Sequence, residues 1–431
     1  MRSVTCRRVA AFFAFVAVGS LVIAPVASAD DSLPPPTVAS GEESAQFTPI
    51  ISQLVTAPVP FKADDGLQHL AFELLLTNSS PRTATVTSVL ISPVSSPQVT
   101  LQALKGKSEV AASMIPVGDL TIGRNAAIAP QATSELLLDA IIPAGMAVPG
   151  AITVTLTATF AAPKPGQPPY VSIFPDSVTE VLPRVSVSKA KTIVVRPPLA
   201  GGDWVAMNAC CELSAHRGAM LGASARPLFP ERYAIDFVRM DASGNLYKPG
   251  KAPSMGNNYS YDAKLLAVAP ATVVAVQKGI PDQPPGVNPT GYSLEQLGGD
   301  YVVLKLRPGL YAFYAHISPD SIAVEVGQKV KAGQVLGLLG NSGNSTAPHL
   351  HFQLINGPGP LTSDGVPYEF TSFKVVARPS GKGDSFAPVS PPVSLVNAYP
   401  LTNTVVRFSG TSGALVDSGS AIPSPGVAPA S

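Results

Sequence analysis

The sequence predicts a mainly β protein: an N-terminal β-sandwich domain followed by a second, antiparallel β domain. Three observations carry this. The segment Ile152-Thr-Val-Thr-Leu-Thr-Ala-Thr-Phe160 alternates apolar residues with threonines, the period of a strand with one buried face. Between about residues 46 and 195 no long stretch repeats with helical spacing. Similar short segments, Leu70–Thr77, Thr85–Ser92, Ser134–Ile142 and Val185–Val195, are separated by Asn, Pro, Gly and Ser turns.

The chain start sets the compartment. Arg2, Arg7 and Arg8 precede an apolar run from Val9 to Val26, and Ala27-Ser28-Ala29 closes it before Asp30. Small residues in that spacing are what a signal peptidase accepts, and Pro25 also favours cleavage over an uncleaved anchor. Residues 1–29 are therefore expected to be a signal peptide. The mature chain is expected to be secreted or extracytoplasmic, in the cell envelope, with no stable membrane insertion after cleavage. Residues 30–45 form a polar leader. Residues 46–195 are the sandwich, expected to be immunoglobulin-like. Its single histidine is His69, the segment offers no cluster of titratable residues, and its expected role is a spacer or packing module.

Arg196-Pro-Pro-Leu-Ala-Gly-Gly202 has linker composition, and the second domain runs over residues 203–377. There Tyr301–Leu306 and Leu310–Ile317 flank Arg307-Pro-Gly309, a hairpin signature. Val324–Leu339 breaks short apolar pieces with Gly327, Gly333 and Gly337, as in a compact sheet with tight turns. Residues 277–299 form a Pro- and Gly-rich loop, either a functional rim or a surface insertion. Residues 378–431 are rich in Ser, Pro and Gly and are expected to be a flexible tail, to which Val405–Phe408 can add a short strand.

Composition excludes some partners. Loss of residues 1–29 removes three arginines, leaving 26 Lys+Arg against 28 Asp+Glu, a net charge of −2. Such a balance gives no electrostatic reason to bind nucleic acid. It sets no oligomeric state. Cys6 leaves with the signal peptide, so no disulfide framework is possible. The adjacent Cys210 and Cys211 can form a vicinal disulfide, and metal ligation by them lacks a second ligand-spaced pair.

The chemistry concentrates in Gly340-Asn-Ser-Gly-Asn-Ser-Thr-Ala-Pro-His349-Leu-His351-Phe. A His-x-His pair on a strand projects both imidazoles from one face, with Leu350 turned into the core. His316 ends the alternating Tyr311-Ala-Phe-Tyr-Ala-His segment, and Asp236 closes the apolar run of Arg232-Tyr-Ala-Ile-Asp. Singly, each has a bland reading, an edge histidine or a turn aspartate.

Together these segments resemble the lysostaphin/LytM-type zinc metallopeptidases, which cut peptide bonds in peptidoglycan. The resemblance spans roughly residues 213–375 and includes the Val-Gly-Gln-Lys-Val-Lys-Ala-Gly-Gln-Val-Leu-Gly run. It implies a lysostaphin/LytM-like antiparallel β fold, Asp236 and His351 as ligands of Zn2+, and His316 and His349 as catalytic residues. One departure matters. The family pattern is His-x-x-x-Asp, and the position four before Asp236 is Arg232, whose guanidinium has no free lone pair for a metal. Either His216, in Ala-His216-Arg-Gly, supplies the missing imidazole, or Arg232 pairs with Asp236 and fills the metal's place. The first option uses all four histidines of the domain, His216, His316, His349 and His351.

The implied function is a secreted zinc endopeptidase acting on peptidoglycan peptide. The alternatives are a metal-free domain that binds cell wall or regulates a partner hydrolase, and a secreted protease acting on ordinary proteins. No His-Glu-x-x-His and no Gly-x-Ser-x-Gly occur, which removes a glutamate-based zincin and a nucleophile-elbow hydrolase.

Overall fold

The computed structural model describes residues 47–119, 123–241, 244–380, 385–410 and 422–423. The expected signal peptide and leader lie outside these residues. Among the described residues the chain is almost wholly β, with one short α-helix, Gly106–Ala111, and no helix long and apolar enough to cross a membrane.

Two antiparallel sheets make the sandwich. One runs Ile50–Leu54, Gln68–Asn78, Thr133–Ile142, Met114–Pro116; the other runs Ser177–Val181, Ala151–Phe160, Ala84–Pro93, Gln102–Lys105. The alternation seen in the sequence sorts as expected: Val154, Leu156 and Ala158 are buried between the sheets, while Thr153, Thr155 and Thr157 are half-buried on the other face.

Gln68–Asn78 departs from this rule, because both of its faces are covered. Leu70, Phe72 and Leu74 enter the sandwich core, and His69, Ala71 and Glu73 are buried against the second half of the molecule. The sandwich therefore carries titratable clusters that its sequence does not suggest. His69 is held between Asp139 at 2.8 Å and Asp65 at 3.1 Å, and Glu73 meets two arginines. Cys211 lies near His69 but is joined to Cys210 in a vicinal disulfide.

Glu135, on the adjoining strand, is 3% exposed, and its carboxyl is pushed up to about 8 by burial and then by the charge of Glu73. Relative to an unfolded value of 4.5, a raised carboxyl favours the folded state most at low pH; that advantage is lost as pH rises toward 8. Glu135→Gln is thus expected to leave stability at pH 4 unchanged and to raise it at pH 8 by on the order of 3 kcal/mol. Urea midpoints that shift equally at both pH values would contradict this.

The second half is organised by one long sheet. Its order is Lys329–Val330, Ala271–Gln277, Asp300–Arg307, Leu310–Ile317, Leu350–Ile355, Ile235–Arg239, Trp204–Met207, Thr404–Arg407, Tyr368–Pro379, Ser385–Ala398, Ile422–Pro423. Pairing is antiparallel along this path. The expected hairpin is present: Arg307 faces Leu310 across Pro308-Gly309, with Gly309 at φ +70° as such a turn requires.

Two boundaries differ from expectation. The segment read as one sandwich strand, Val185–Val195, divides. Val185–Ser186 stays in the sandwich, whereas Ile193–Val195 pairs in parallel with Tyr368–Pro379 of the long sheet. The tail expected from residue 378 is also ordered over much of its length. Ser385–Ala398 and Thr404–Arg407 are strands, because Phe386, Ala398, Tyr399, Val405, Val406 and Phe408 supply buried apolar area that the Ser/Pro content hides. Residues 411–421 and 424–431 lie outside the described residues.

The halves share one core. Phe61, Ala63 and Ala71 from the sandwich pack with Tyr233, Tyr399 and the inner residues of the long sheet, and the described residues from Thr48 onward form one compact unit. A packing module was expected, but a mere spacer would not contribute to this core.

Candidate metal centre and active site

All five residues singled out by the sequence converge. Asp236 and His351 are direct cross-strand partners in the centre of the long sheet, so backbone hydrogen bonds fix their separation. His351 Nδ1 lies 3.1 Å from Asp236 Oδ1, and His216 Nε2 lies 3.2 Å from Asp236 Oδ2. His349 Nε2 is 3.4 Å from Asp236 Oδ1. The His316 ring sits 4.5 Å from that of His349 and 6.1 Å from that of His351, centroid to centroid. His349 falls one residue before the strand begins, whereas a place within it was expected.

The outward nitrogens decide the protonation pattern. His216 Nδ1 faces the carbonyl oxygens of Asn208 at 3.1 Å and Ala234 at 3.3 Å, which can only accept, so Nδ1 carries the proton. In the same way, His316 Nδ1 donates to Ser342 O at 2.7 Å and His349 Nδ1 to Ala347 O at 2.8 Å. His351 is reversed. Gln353 donates its Nε2 to Pro360 O at 3.1 Å, which turns Oε1 toward His351 Nε2 at 2.8 Å, so Nε2–H donates there.

Each inward nitrogen of a neutral ring is then a lone pair. Three of these, on His216, His349 and His351, are aimed at Asp236, and such an array repels itself unless positive charge enters. Charge can come as protons on the rings or as one cation shared by them. The demand shows in the direction in which each group is shifted. Burial works to lower His216, yet Asp236 outweighs it and brings the imidazole up to about 9; His349 is raised on the same grounds. Burial would raise Asp236, but the charges of His216 and His349 hold it well below the ordinary carboxylate range. His316 goes the opposite way, held well below 6.5 by burial and by His349 and His351.

The donor set fits a metal. The ligand atoms of His216, Asp236 and His351 all lie within 4.8 Å of one another on buried or half-buried residues. Two imidazoles and a carboxylate suit a catalytic zinc site with one position left open. Asn208 Nδ2 also donates to Asp236 Oδ2 at 2.9 Å, orienting the carboxylate. Arg232 is not in the metal's place. It pairs instead with Glu73, its Nη2 2.6 Å from Oε2, so the alternative in which it pairs with Asp236 and fills the metal's place is not met.

Gln353 and Asn208 were missed by the sequence reading. Gln353 follows at the same two-residue spacing that links His349 to His351, which places it on the same face of the strand, and this spacing was the available signal. Asn208 left no comparable mark.

The loops explain the glycines. His316 adopts φ +58°, rare for a side-chain-bearing residue, and is held by N–H to Gly298 O at 2.8 Å and by Gly340 N–H to its own carbonyl at 2.9 Å. Gly343 packs on Gly299 so closely that a Cβ would lie 2.2 Å from the Gly299 nitrogen. The 277–299 loop is tied to the His349 loop, through Gln283 N–H to Asn341 O at 2.9 Å and Gly286 N–H to Thr346 O at 2.7 Å. It forms a rim of the site.

Residues 258–362 match Peptidase family M23. Among curated proteins, the chain is 47% identical over 57 residues to the peptidoglycan DD-endopeptidase ShyA of Vibrio cholerae, covering 13% of each chain. It is equally identical over 57 residues to the glycyl-glycine endopeptidase ALE-1 of Staphylococcus capitis, covering 13% of this chain and 15% of that one. The chain thus spans about one seventh of the length of these relatives. Among solved structures, the catalytic domain of lysostaphin from Staphylococcus simulans aligns at 24% identity over 34% of this chain and 80% of its own, with a TM-score of 0.20. The family match begins after Asp236, so His216 and Asp236 enter the site on geometry alone. Residues 258–362 therefore form a domain of Peptidase family M23, of the lysostaphin/LytM type.

Proposed function

We propose that this protein is an exported zinc endopeptidase that hydrolyses peptide bonds of peptidoglycan. The observation that carries the proposal is the convergence of imidazole lone pairs from His216, His349 and His351 on the single carboxylate of Asp236. The name of ShyA, a peptidoglycan DD-endopeptidase, supports peptidoglycan as substrate, and that of ALE-1, a glycyl-glycine endopeptidase, supports cleavage within a peptide. Export rests on the basic start, the apolar run and the Ala27-Ser28-Ala29 exit.

In this reading His216, Asp236 and His351 hold the ion. A bound zinc ion supplies a Lewis acid that brings the pKa of water from ~16 to about 7 and polarises a carbonyl. The protein's residues do the rest. Asn208 and Gln353 fix the orientation of the carboxylate and of His351. His316, kept neutral and with Nε2 unprotonated, is suited to accept a proton from the attacking water. His349, whose ring lies beside that of His316, is suited to orient that water through Nε2 and, once protonated there, to donate a hydrogen bond to the oxygen developing charge. The rim loop 277–299 borders the place where a peptide strand would lie.

The test is digestion of purified peptidoglycan by the mature protein. Release of new amino termini that stops with a chelator and returns with zinc is the expected result. Protein that carries zinc near one per chain yet releases none from peptidoglycan would overturn the substrate assignment.

A further inference from the structure

We infer that Glu73, on the N-terminal sandwich, is a positioning residue of the metal centre: it anchors the loop that carries His216, so the sandwich is part of the site. This rests on the zinc reading above and extends it to a residue outside the family match.

The three ligands are not held alike. Asp236 and His351 face each other on paired strands, and the ladder sets their places. His216 has no strand. Residues 208–219 are turns and irregular backbone, so the position of its ring depends on what the loop is fastened to. The fastening is Arg217, the next residue, whose side chain is wholly buried and directed at the Glu73 carboxylate, with Nη2 donating to Leu138 O at 3.3 Å.

The same carboxylate also holds the turn before Asp236. Arg232 Nε donates to Glu73 Oε1 at 2.9 Å and Oε2 at 2.7 Å. Tyr233 OH donates to Ala71 O at 3.2 Å, and a methyl on Gly218 would sit 3.0 Å from Ile115 Cδ1, so the loop lies flush on the sandwich sheet. Two buried guanidiniums therefore share one anion, from a strand more than 140 residues upstream. Their charge holds Glu73 ionised, below the ordinary carboxylate range, although burial opposes it. A buried cation without its partner is strongly disfavoured, so loss of the Glu73 charge would release the arginines, and the His216 loop with them.

This arrangement also accounts for arginine at the fourth position before Asp236. The anchoring task falls to Arg232 and the ligand task to His216. The polar, buried outer face of Gln68–Asn78 is then part of the zinc site's support.

The experiment uses the full-length mature protein. Zinc affinity of Glu73→Gln is measured by competition with a chromophoric chelator, and amide hydrogen exchange is followed in the metal-free protein. The expected result is a loss of affinity of about 10–100-fold. It should come with faster exchange confined to residues 208–218, while Ile235–Arg239 and Leu350–Ile355 keep their protection. Affinity within twofold of the parent overturns the inference. Arg217→Met covers the case in which Glu73→Gln does not fold. It leaves Glu73 and Arg232 as a balanced pair but unfastens the loop, and the same affinity loss is expected. Parent-like affinity in that variant is equally fatal to the inference. A parent that binds zinc but leaves peptidoglycan intact refutes the proposed function without touching this one. A parent that digests peptidoglycan, with both variants at full affinity, refutes this one alone.

Discussion

His351→Ala protein is expected to fold, to elute without zinc and to have no measurable peptidase activity. The strand around position 351 is held by backbone pairing to both neighbours, so the fold does not depend on the imidazole. The metal does. With His351 gone, only His216 and Asp236 remain of the three proposed ligands. Lewis-acid stabilisation amounts to several kcal/mol of the barrier, so its loss lowers kcat by about 10³-fold or more. His216→Ala is expected to behave in the same way, and it is the sharper experiment, because the family pattern places its imidazole elsewhere. Elemental analysis of the two variants beside the parent decides the matter. If His216→Ala keeps both zinc and activity, the ligand set proposed here is wrong even if the enzyme is real.

The second large effect separates rate from metal. His349→Ala and His316→Ala should each retain zinc near the parent's stoichiometry while kcat falls by about 10²–10⁴-fold, the usual contribution of a positioned acid or base. KM should change little, since neither ring is expected to bind the substrate's remote parts. His349 also lies 3.4 Å from Asp236, close enough that a ligand role is a real competitor. Loss of zinc on His349→Ala would assign it that role, and steady-state kinetics combined with metal content reads both outcomes at once.

Much of this site was legible because its signals are local. His-x-His at a two-residue spacing, a histidine ending an alternating strand and an aspartate closing an apolar run each identify a strand face or end without tertiary information. His216 was also singled out, by matching the four imidazoles that the resemblance implies to the four available, and its ring does lie against Asp236. Arg232 could not be placed, because its partner lies 159 residues upstream on another sheet. Glu73 was hidden for a related reason. Period-two reasoning assigns polar residues on a strand to solvent, and it cannot see that a second body covers that face. The ordered part of the tail was lost in the same manner: Val405, Val406 and Phe408 are a weak signal amid Ser and Pro, and their burial is supplied by strands far away in the chain.

The Thr404–Arg407 strand fills the gap between Trp204–Met207 and Tyr368–Pro379. It is therefore an interior stave that follows both of its neighbours in the chain, and the elements on either side of it have nothing to pair with on those edges until it arrives. Trp204–Met207, which neighbours the strand of Asp236, is completed on its other edge only by this segment from far downstream in the chain. Long-range pairing of that kind slows folding. The sheet that holds Asp236 and His351 therefore closes only after Thr404–Arg407 has joined it.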